Sequence, residues 1–271
     1  MSDIFNTTKI EDLLAVADVE DIHILVDYIT DNGKGRLALD GDTCKRFLLC
    51  KEHNIYPHGD RELIAKEIRS FGGNSVVNLL RGDGVSYEEI VYDIANHQKV
   101  NFEKTDSIST IEREILTKIL ARAFDELSTE ERKAILDDLD IYDTSLTGPA
   151  AVTAIIAAAR MGGFTTFKMT VIIANAIAKA LLGRGISVAT IAPFLKSIKI
   201  AIGPVGWIVT ALWTAFDMAS PAYRVTLPCV VQLAYIRQKA IQAKTTKICE
   251  KCSKALPISS KFCSHCGTAL A

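Results

Sequence analysis

The residues best suited to chemistry in this sequence are four cysteines near its C-terminus. Cys249-Glu-Lys-Cys252 and Cys263-Ser-His-Cys266 form two Cys-x-x-Cys pairs that are separated by ten residues. Each pair lets two thiolates reach one metal ion, and two pairs complete the tetrahedral shell of zinc, at about 2.3 Å per Zn–S bond. The spacing therefore predicts one zinc ion bound by Cys249, Cys252, Cys263 and Cys266. Because four thiolates leave no open coordination position, we expect this zinc to be structural.

A redox-active dithiol is the alternative interpretation of a Cys-x-x-Cys pair. It would require one pair at the start of a helix within a βαβ unit, and the sequence shows no such context. His265 lies inside the second pair, and we expect it to be exposed and not a ligand. Cys44, Cys50 and Cys229 lack paired spacing, so we expect buried or incidental thiols. An odd set of seven cysteines without a secretory signal favours metal thiolates in a reducing compartment.

Catalytic motifs are not found in the sequence. The five histidines are scattered, and there is no His-Glu-x-x-His, no Gly-x-Ser-x-Gly and no Walker or kinase signature. No Gly-Lys-Ser/Thr follows the glycines of segment 71–84, which therefore indicate turns between helices and not a phosphate loop. We predict no catalytic residues, no organic cofactor and no small-molecule substrate, and we expect that the protein is not an enzyme.

The first 140 residues have the pattern of short amphipathic helices. Apolar residues recur at three- and four-residue steps in segments 10–17 and 22–29, and helices are also expected at about 40–52 and 60–70. Three Ser-x-x-Glu motifs, each able to form a capping box, predict further helices at about 86–98, 109–127 and 129–140. These motifs are Ser86-x-x-Glu89, Ser109-x-x-Glu112 and Ser128-x-x-Glu131.

The two halves of the chain carry opposite charge. Up to residue 140 there are 17 basic and 29 acidic side chains, whereas the remainder has 14 basic and 3 acidic ones. Such an asymmetry indicates either that the acidic part packs on the basic part or that the basic part faces an anionic partner. Both interpretations remain open at this point.

Segment 149–220 is rich in Ala, Ile, Val and Gly and has a single acidic residue, Asp217. Glycine-containing turns divide it into predicted helices at 150–161, 166–182, 186–202 and 205–219. The uncharged stretch 200–216 is about as long as the shortest membrane-spanning helices. Lysines interrupt the other helices, and a lysine at the bilayer centre costs about 2.5–3.5 kcal/mol, which disfavours ordinary insertion of several spans.

Two interpretations of segment 149–220 remain. Its helices could form the apolar centre of a helical domain, with lysine stems extending outward to water. Alternatively, a helical hairpin could lie on or enter a membrane, with lysines at anionic head groups and small residues allowing close helix packing. After this segment we expect a helix at 230–243, a short linker and the metal-binding module.

Three further segments resemble a known family. They are residues 25–36 (LVDYITDNGKGR), the stretch from FGGNS at 71–75 to RGDGVSYEEI at 81–90, and residues 222–234 (AYRVTLPCVVQLA). On these residues the chain resembles the uncharacterised bacterial YaaW-like family over about residues 5–240. Members of that family are sometimes described as related to ubiquinol–cytochrome c assembly chaperones. The family has no established catalytic residues that the resemblance could assign to this chain, and the zinc ribbon after residue 247 is an addition that suggests partner binding.

Together these features predict a mostly α-helical protein in three parts. They are an acidic helical domain at 1–142, an apolar and basic helical region with a Gly/Ala-rich hairpin at 143–243, and a zinc ribbon at 244–271. We expect a cytoplasmic, conditionally membrane-associated interaction protein that docks on an anionic membrane surface or a protein partner.

Two alternative functions are an assembly chaperone for a hydrophobic client and a nucleic-acid-binding protein. The second would use the basic face of the ribbon. This face carries Lys244, Lys247, Lys251, Lys254 and Lys261. Phe262 is the one aromatic residue of the ribbon sequence, so stacking on bases is poorly provided for.

Overall fold

The computed structural model describes residues 3–72, 84–125, 127–141, 148–187 and 222–270, together with residues 189, 191, 192 and 194. Within these ranges it contains ten helices followed by two short strands. The elements are α1 Ile10–Val16, α2 Val19–Thr30, α3 Gly41–Glu52, α4 His58–Gly72, α5 Tyr87–His97, α6 Ile108–Asp125, α7 Thr129–Asp138, α8 Gly148–Met161, α9 Gly163–Leu182, α10 Tyr223–Thr245, β1 Thr246–Ile248 and β2 Ala255–Pro257. The predicted class, a multi-helical body with a small C-terminal ribbon, is confirmed.

Two of the three predicted capping motifs start helices. The Ser86 hydroxyl accepts a hydrogen bond from the Glu89 amide at 3.1 Å. Ser128 and Glu131 form a complete capping box, in which the Glu131 carboxylate also accepts from the Ser128 amide at 2.8 Å. These contacts satisfy amides that a helix start leaves without partners.

The third predicted capping motif, Ser109-x-x-Glu112, was wrong. Helix α6 begins at Ile108, and the hydroxyl of Ser107 accepts from the Thr110 amide at 3.2 Å. Glu112 is instead 2% exposed and points into the core. The physical reason is a buried cation on a distant helix, described below, which binds the carboxylate more strongly than a backbone amide would.

Helix α10 is the central element of the body, because it packs against α1, α2, α4, α5, α6 and α9. The predicted helix at 230–243 is confirmed, but it is longer at both ends and the linker expected after it is absent. The helix begins at Tyr223, contains Pro228 and passes into β1 at Thr246 without a linker. A proline inside an exposed helix costs about 3 kcal/mol. The residues before and after Pro228, from Val225 to Arg237, are buried, and this burial offsets the cost.

Helices α8 and α9 form the helical hairpin expected from the Gly/Ala-rich sequence, and they match the predicted helices 150–161 and 166–182. The chain turns at Gly162 and Gly163, which both have positive φ angles (74° and 69°) that favour glycine. The predicted helix 186–202 lies largely outside the described residues. The helix 205–219 and the uncharged stretch 200–216 lie wholly outside them.

Among the described residues, one helix, α9, is long and apolar enough to cross a membrane by length and composition alone. Its most apolar window is 72% buried inside the fold, and the core helix of a helical bundle satisfies the same criteria. The expectation that lysine stems extend outward from this region was wrong for Lys168, which is 3% exposed. Its ammonium donates to the Asp138 carbonyl at 2.6 Å, because a buried cation requires hydrogen-bond acceptors.

The helices on both sides of residue 142 share one contiguous apolar cluster. For example, α6 packs on α8 and α9, and α2 packs on α10. Ion pairs also join acidic residues of the first half to basic residues of the second half, as the charge asymmetry suggested. They include Asp27–Arg184, Glu112–Arg237, Asp21–Lys239, Glu114–Arg160 and Asp140–Lys254. The boundary at 142/143 lies outside the described residues and stays a prediction.

Candidate metal centre

The four cysteines of the two Cys-x-x-Cys pairs converge on one point. All four sulfur atoms lie within 4.8 Å of one another. The Sγ atoms of Cys249 and Cys266 are 3.6 Å apart, and those of Cys252 and Cys263 are 3.5 Å apart. A tetrahedron with metal–sulfur bonds of about 2.3 Å has edges of about 3.8 Å, whereas a disulfide bond is about 2.0 Å long. The four sulfurs could therefore hold one metal ion.

Local backbone hydrogen bonds shape the first pair into a tight turn. The Ser253 amide donates to the Cys249 carbonyl at 2.8 Å, and the Cys249 amide donates to the Lys254 carbonyl at 2.9 Å. Ser253 has a positive φ angle of 59°, which reverses the chain after Cys252. This turn brings the Cys249 and Cys252 side chains to the same side of the backbone.

The second pair repeats the turn of the first. The Gly267 amide donates to the Cys263 carbonyl at 2.9 Å, and the Cys263 amide donates to the Thr268 carbonyl at 2.8 Å. Gly267 has a positive φ angle of 72° at the place that Ser253 takes in the first turn. Two equivalent turns facing each other present four thiols to a common centre, as in a zinc ribbon.

A two-stranded antiparallel sheet supports the first turn. Strand β1 pairs with β2 so that Lys247 lies opposite Leu256 and Ile248 lies opposite Ala255. Leu256 is 6% exposed and packs with Cys249 and Cys263 in a small apolar cluster that is separate from the main core. A cluster of this size is too small to stabilise the ribbon by hydrophobic burial alone.

The surroundings of the thiols differ between the two turns. Hydrogen bonds with the hydroxyl and amide of Thr268 lower the pKa of Cys266 to about 6. At Cys252 the Lys254 amide acts to lower the pKa, but partial burial and hydrogen bonds with the neighbouring thiols outweigh it and raise the pKa to about 12. Four thiolates so close together repel one another, and a bound cation offsets this repulsion.

His265 is exposed, as expected from the sequence, and among the described residues the group that could hold a metal ion consists of the four cysteines. The remaining cysteines match their prediction, since Cys44 and Cys229 are buried and Cys50 is partly buried. Burial raises the pKa of the Cys229 thiol to about 12, so this thiol is protonated and inert at neutral pH.

The ribbon is attached to the helical body by contacts from its inner edge. Ile248 packs against the main apolar core, and the Lys254 ammonium lies 3.2 Å from a carboxylate oxygen of Asp140. The other oxygen of Asp140 accepts from Lys168 of α9 at 2.9 Å. Because α10 also continues directly into β1, the ribbon has a defined position on the body.

Sequence reasoning missed a buried ion pair in the centre of the body. Arg237 is fully buried, and its guanidinium binds both carboxylate oxygens of Glu112, at 2.8 and 3.1 Å. The Tyr87 hydroxyl donates to the same carboxylate at 2.7 Å, and Arg237 also donates to the Ile4 carbonyl at 3.0 Å. The one sequence signal was that Arg237 directly follows the mostly apolar segment 230–236 of a predicted helix.

A second buried group of charges joins α10 to the start of α2. The Lys239 ammonium contacts a carboxylate oxygen of Asp21 and lies 2.6 Å from a carboxylate oxygen of Asp18. Burial raises the pKa of Asp21 to about 6, although Lys239 acts in the opposite direction. Lys239 is only 8% exposed, so these charges meet inside the protein and not at a solvent-exposed helix end.

Comparison with the sequences of known proteins assigns the chain to a family. It is 41% identical over 196 residues to a UPF0174 protein of Helicobacter pylori strain J99, an alignment that covers 70% of this chain and 78% of the relative. A second UPF0174 protein of that strain is 32% identical over 181 residues, covering 65% of this chain and 87% of the relative. The chain therefore belongs to the UPF0174 family.

The predicted YaaW-like resemblance is also confirmed. The UPF0174 protein YaaW of Escherichia coli K12 is 28% identical over 232 residues, which cover 84% of this chain and 92% of the relative. No family model matches the chain, and no solved structure matches it. The names of these relatives describe no enzymatic activity.

Proposed function

We propose that this chain is a non-enzymatic docking protein that presents a structural zinc ribbon on a helical body to an anionic partner, either a membrane surface or a protein complex. The observation that carries the proposal is the convergence of four cysteine thiols, within 4.8 Å, in a ribbon attached to the body. The zinc ion stabilises the ribbon, and the ribbon provides the surface that binds the anionic partner.

Zinc is the metal that fits this site best. Tetrahedral sulfur donors suit Zn²⁺, which has no redox chemistry and is held by four cysteines in many structural sites. A shell of four thiolates leaves no position for a water or a substrate, so the metal supplies folding free energy to the ribbon and no catalysis.

The charge of the ribbon supports an anionic partner. Residues 244–270 contain five lysines and a single acidic residue, Glu250. Lys254 is engaged with Asp140 of the body, whereas Lys244, Lys251 and Lys261 are exposed. A basic surface of this kind attracts phosphate-bearing lipids or acidic protein surfaces and speeds their encounter with the protein.

The two alternative functions are less well supported. A chaperone for a hydrophobic client would use the apolar helices as its binding surface, but α9 is mostly buried in the body. Nucleic-acid binding is the second candidate, and the exposed aromatic ring of Phe262 beside Lys261 favours it.

Two measurements on the natural protein test the proposal. Elemental analysis after anaerobic purification should give one zinc per chain, and a Cys249→Ser/Cys263→Ser variant should lose it, while Cys50→Ser should retain it. Native cell extracts should show the protein in the membrane fraction, from which carbonate releases it, or in a complex larger than the chain and its own oligomers. Less than half an equivalent of zinc, or elution of all the protein free of membranes and partners, contradicts the proposal.

A further inference from the structure

The ribbon exposes two large apolar side chains on one connecting segment. Ile258 is 53% exposed and Phe262 is 66% exposed, and they lie between β2 and the second cysteine pair. We refer to Ile258 and Phe262 as the apolar tip. Both cost free energy in water unless a partner covers them, because they leave apolar surface hydrated.

Backbone contacts hold the apolar tip in a defined shape. The Ile258 amide donates to the Thr245 carbonyl at 2.8 Å, and the Leu270 amide donates to the Lys261 carbonyl at 2.9 Å. The backbones of Phe262 and Ala269 also pair in an isolated antiparallel β-bridge. These contacts start at the end of α10 and at the second cysteine turn, so the metal centre and the body both position the tip.

Different residues attach the ribbon to the body. Ile248 packs on the main core and Lys254 binds Asp140, and neither belongs to the apolar tip. Ile258 and Phe262 therefore keep their exposure while the ribbon is docked. The tip is available to an external partner in this conformation.

Lysines flank the apolar tip. Lys261 is exposed and directly precedes Phe262. Lys244 is exposed and directly precedes Thr245, whose carbonyl binds the Ile258 amide. Two exposed lysines therefore lie next to the tip along the backbone, one adjacent to Phe262 and one adjacent to the residue that binds the Ile258 amide.

A third exposed apolar residue lies at the same end of α10. The Gln242 amide group donates to the Gly163 carbonyl at 3.3 Å, which places the turn between α8 and α9 beside the last turns of α10. Met161, two residues before Gly163, is 82% exposed. This turn belongs to segment 149–220, for which membrane contact was one of the two sequence interpretations.

We propose that the apolar tip inserts into the head-group region of an anionic lipid bilayer while Lys244 and Lys261 bind lipid phosphates. The inference rests on the proposed function and names the membrane as the anionic partner. A short apolar insertion gives weak binding by itself, and basic residues at its border supply the second attraction that peripheral proteins need.

The composition of this surface favours lipid over the other anionic partners. A stable protein interface buries about 800 Å² on each partner, far more than two or three side chains offer. Nucleic acid would stack on Phe262, but an aliphatic side chain such as Ile258 has no aromatic face for stacking. A bilayer accepts both side chains and neutralises the lysines.

Flotation of the full-length, zinc-loaded protein with vesicles tests the proposal. Vesicles of phosphatidylcholine with phosphatidylglycerol should bind at least about tenfold more protein than phosphatidylcholine alone, and binding should fall as salt rises. Ile258→Ser should weaken binding several-fold, whereas Leu49→Ser, a matched change of a 54% exposed residue on α3, should not. Lys244→Gln/Lys261→Gln should weaken binding about 30-fold, since each lysine contributes about 1 kcal/mol independently.

For each flotation experiment, the zinc content of the protein is measured and native extracts are fractionated. These measurements distinguish failure of the lipid inference from failure of the proposed function. Equal binding to neutral and anionic vesicles overturns the lipid inference. It is also overturned if the Ile258→Ser variant and the lysine variant retain zinc and bind vesicles as strongly as the wild type does. Preference for a single-stranded oligonucleotide over vesicles also overturns it, in favour of nucleic acid. If the protein does not bind vesicles but elutes in a larger complex, only the lipid inference is contradicted. If the protein has neither zinc nor a partner, the proposed function is contradicted as well.

Discussion

The carboxylate of Asp140 joins the ribbon to the body, because one of its oxygens lies 3.2 Å from the ammonium of Lys254. The other oxygen binds Lys168, a buried cation of α9, at 2.9 Å. Asp140 has a positive φ angle of 61° at the end of α7, and this turn directs its side chain between the two lysines. A single carboxylate therefore links the ribbon to the apolar helices.

The first prediction concerns this link. Asp140→Asn should lower the free energy of unfolding by about 1–2 kcal/mol, since Lys168 keeps the Asp138 carbonyl but loses its charged partner. Asp137→Asn, an exposed carboxylate of the same helix, should change it by less than about 0.5 kcal/mol. Urea unfolding of both variants measures the difference. Equal stability of the two variants would show that the contacts of Asp140 with Lys168 and Lys254 do not stabilise the protein.

The second prediction concerns the buried ion pair of Arg237 and Glu112. Arg237→Met should destabilise the protein by about 3–5 kcal/mol, because it leaves Glu112 buried without a cation. The double variant Arg237→Met/Glu112→Leu should recover part of that loss. As a control, Arg160→Met breaks an exposed pair with Glu114 and should cost less than about 1 kcal/mol. A double variant less stable than Arg237→Met would contradict this account.

The third prediction concerns pH. Burial raises the pKa of Asp21 to about 6, from 3.8 for the unperturbed group, so the folded protein binds this proton more tightly than the unfolded chain does. The contribution of Asp21 to stability is thus fully present below about pH 4 and is lost as the pH rises through about 6. Relative to Asp21→Asn, the wild type should lose at most about 3 kcal/mol between pH 4 and 7.

Thermal or urea unfolding at several pH values measures this difference. Asp137→Asn, which replaces an exposed carboxylate, is measured alongside as the control variant. A gain of wild-type stability over Asp21→Asn with rising pH would reverse the sign and reject the raised pKa.

The fourth prediction concerns metal removal. A chelator should unfold the ribbon, whose own apolar cluster is small, while the helical body keeps its far-ultraviolet circular dichroism. Trypsin should then cut rapidly after Lys251 and Lys261 but slowly within the buried part of α10. Adding zinc back should restore protection. Simultaneous loss of the helical signal would show that the body also depends on the metal.

The sequence by itself determined the features that depend on neighbouring residues. The two cysteine turns close through hydrogen bonds within six-residue segments, and the Ser128 capping box closes within four residues. Such contacts need little chain ordering, so the residue types and their spacing suffice to predict them. The helix-forming periodicity of α1 and α2 and the glycine turn between α8 and α9 belong to the same group.

The tertiary structure alone decided which charged residues are buried and what they bind. Glu112 has the spacing of a helix cap, yet it pairs with Arg237, which is 125 residues away along the chain. Lys239 meets Asp21 across 218 residues, and Pro228 lies inside a helix that the core surrounds. The reason is physical, because burial makes an unpaired charge so costly that distant partners override local preferences. Which partners meet follows from how the helices pack around α10.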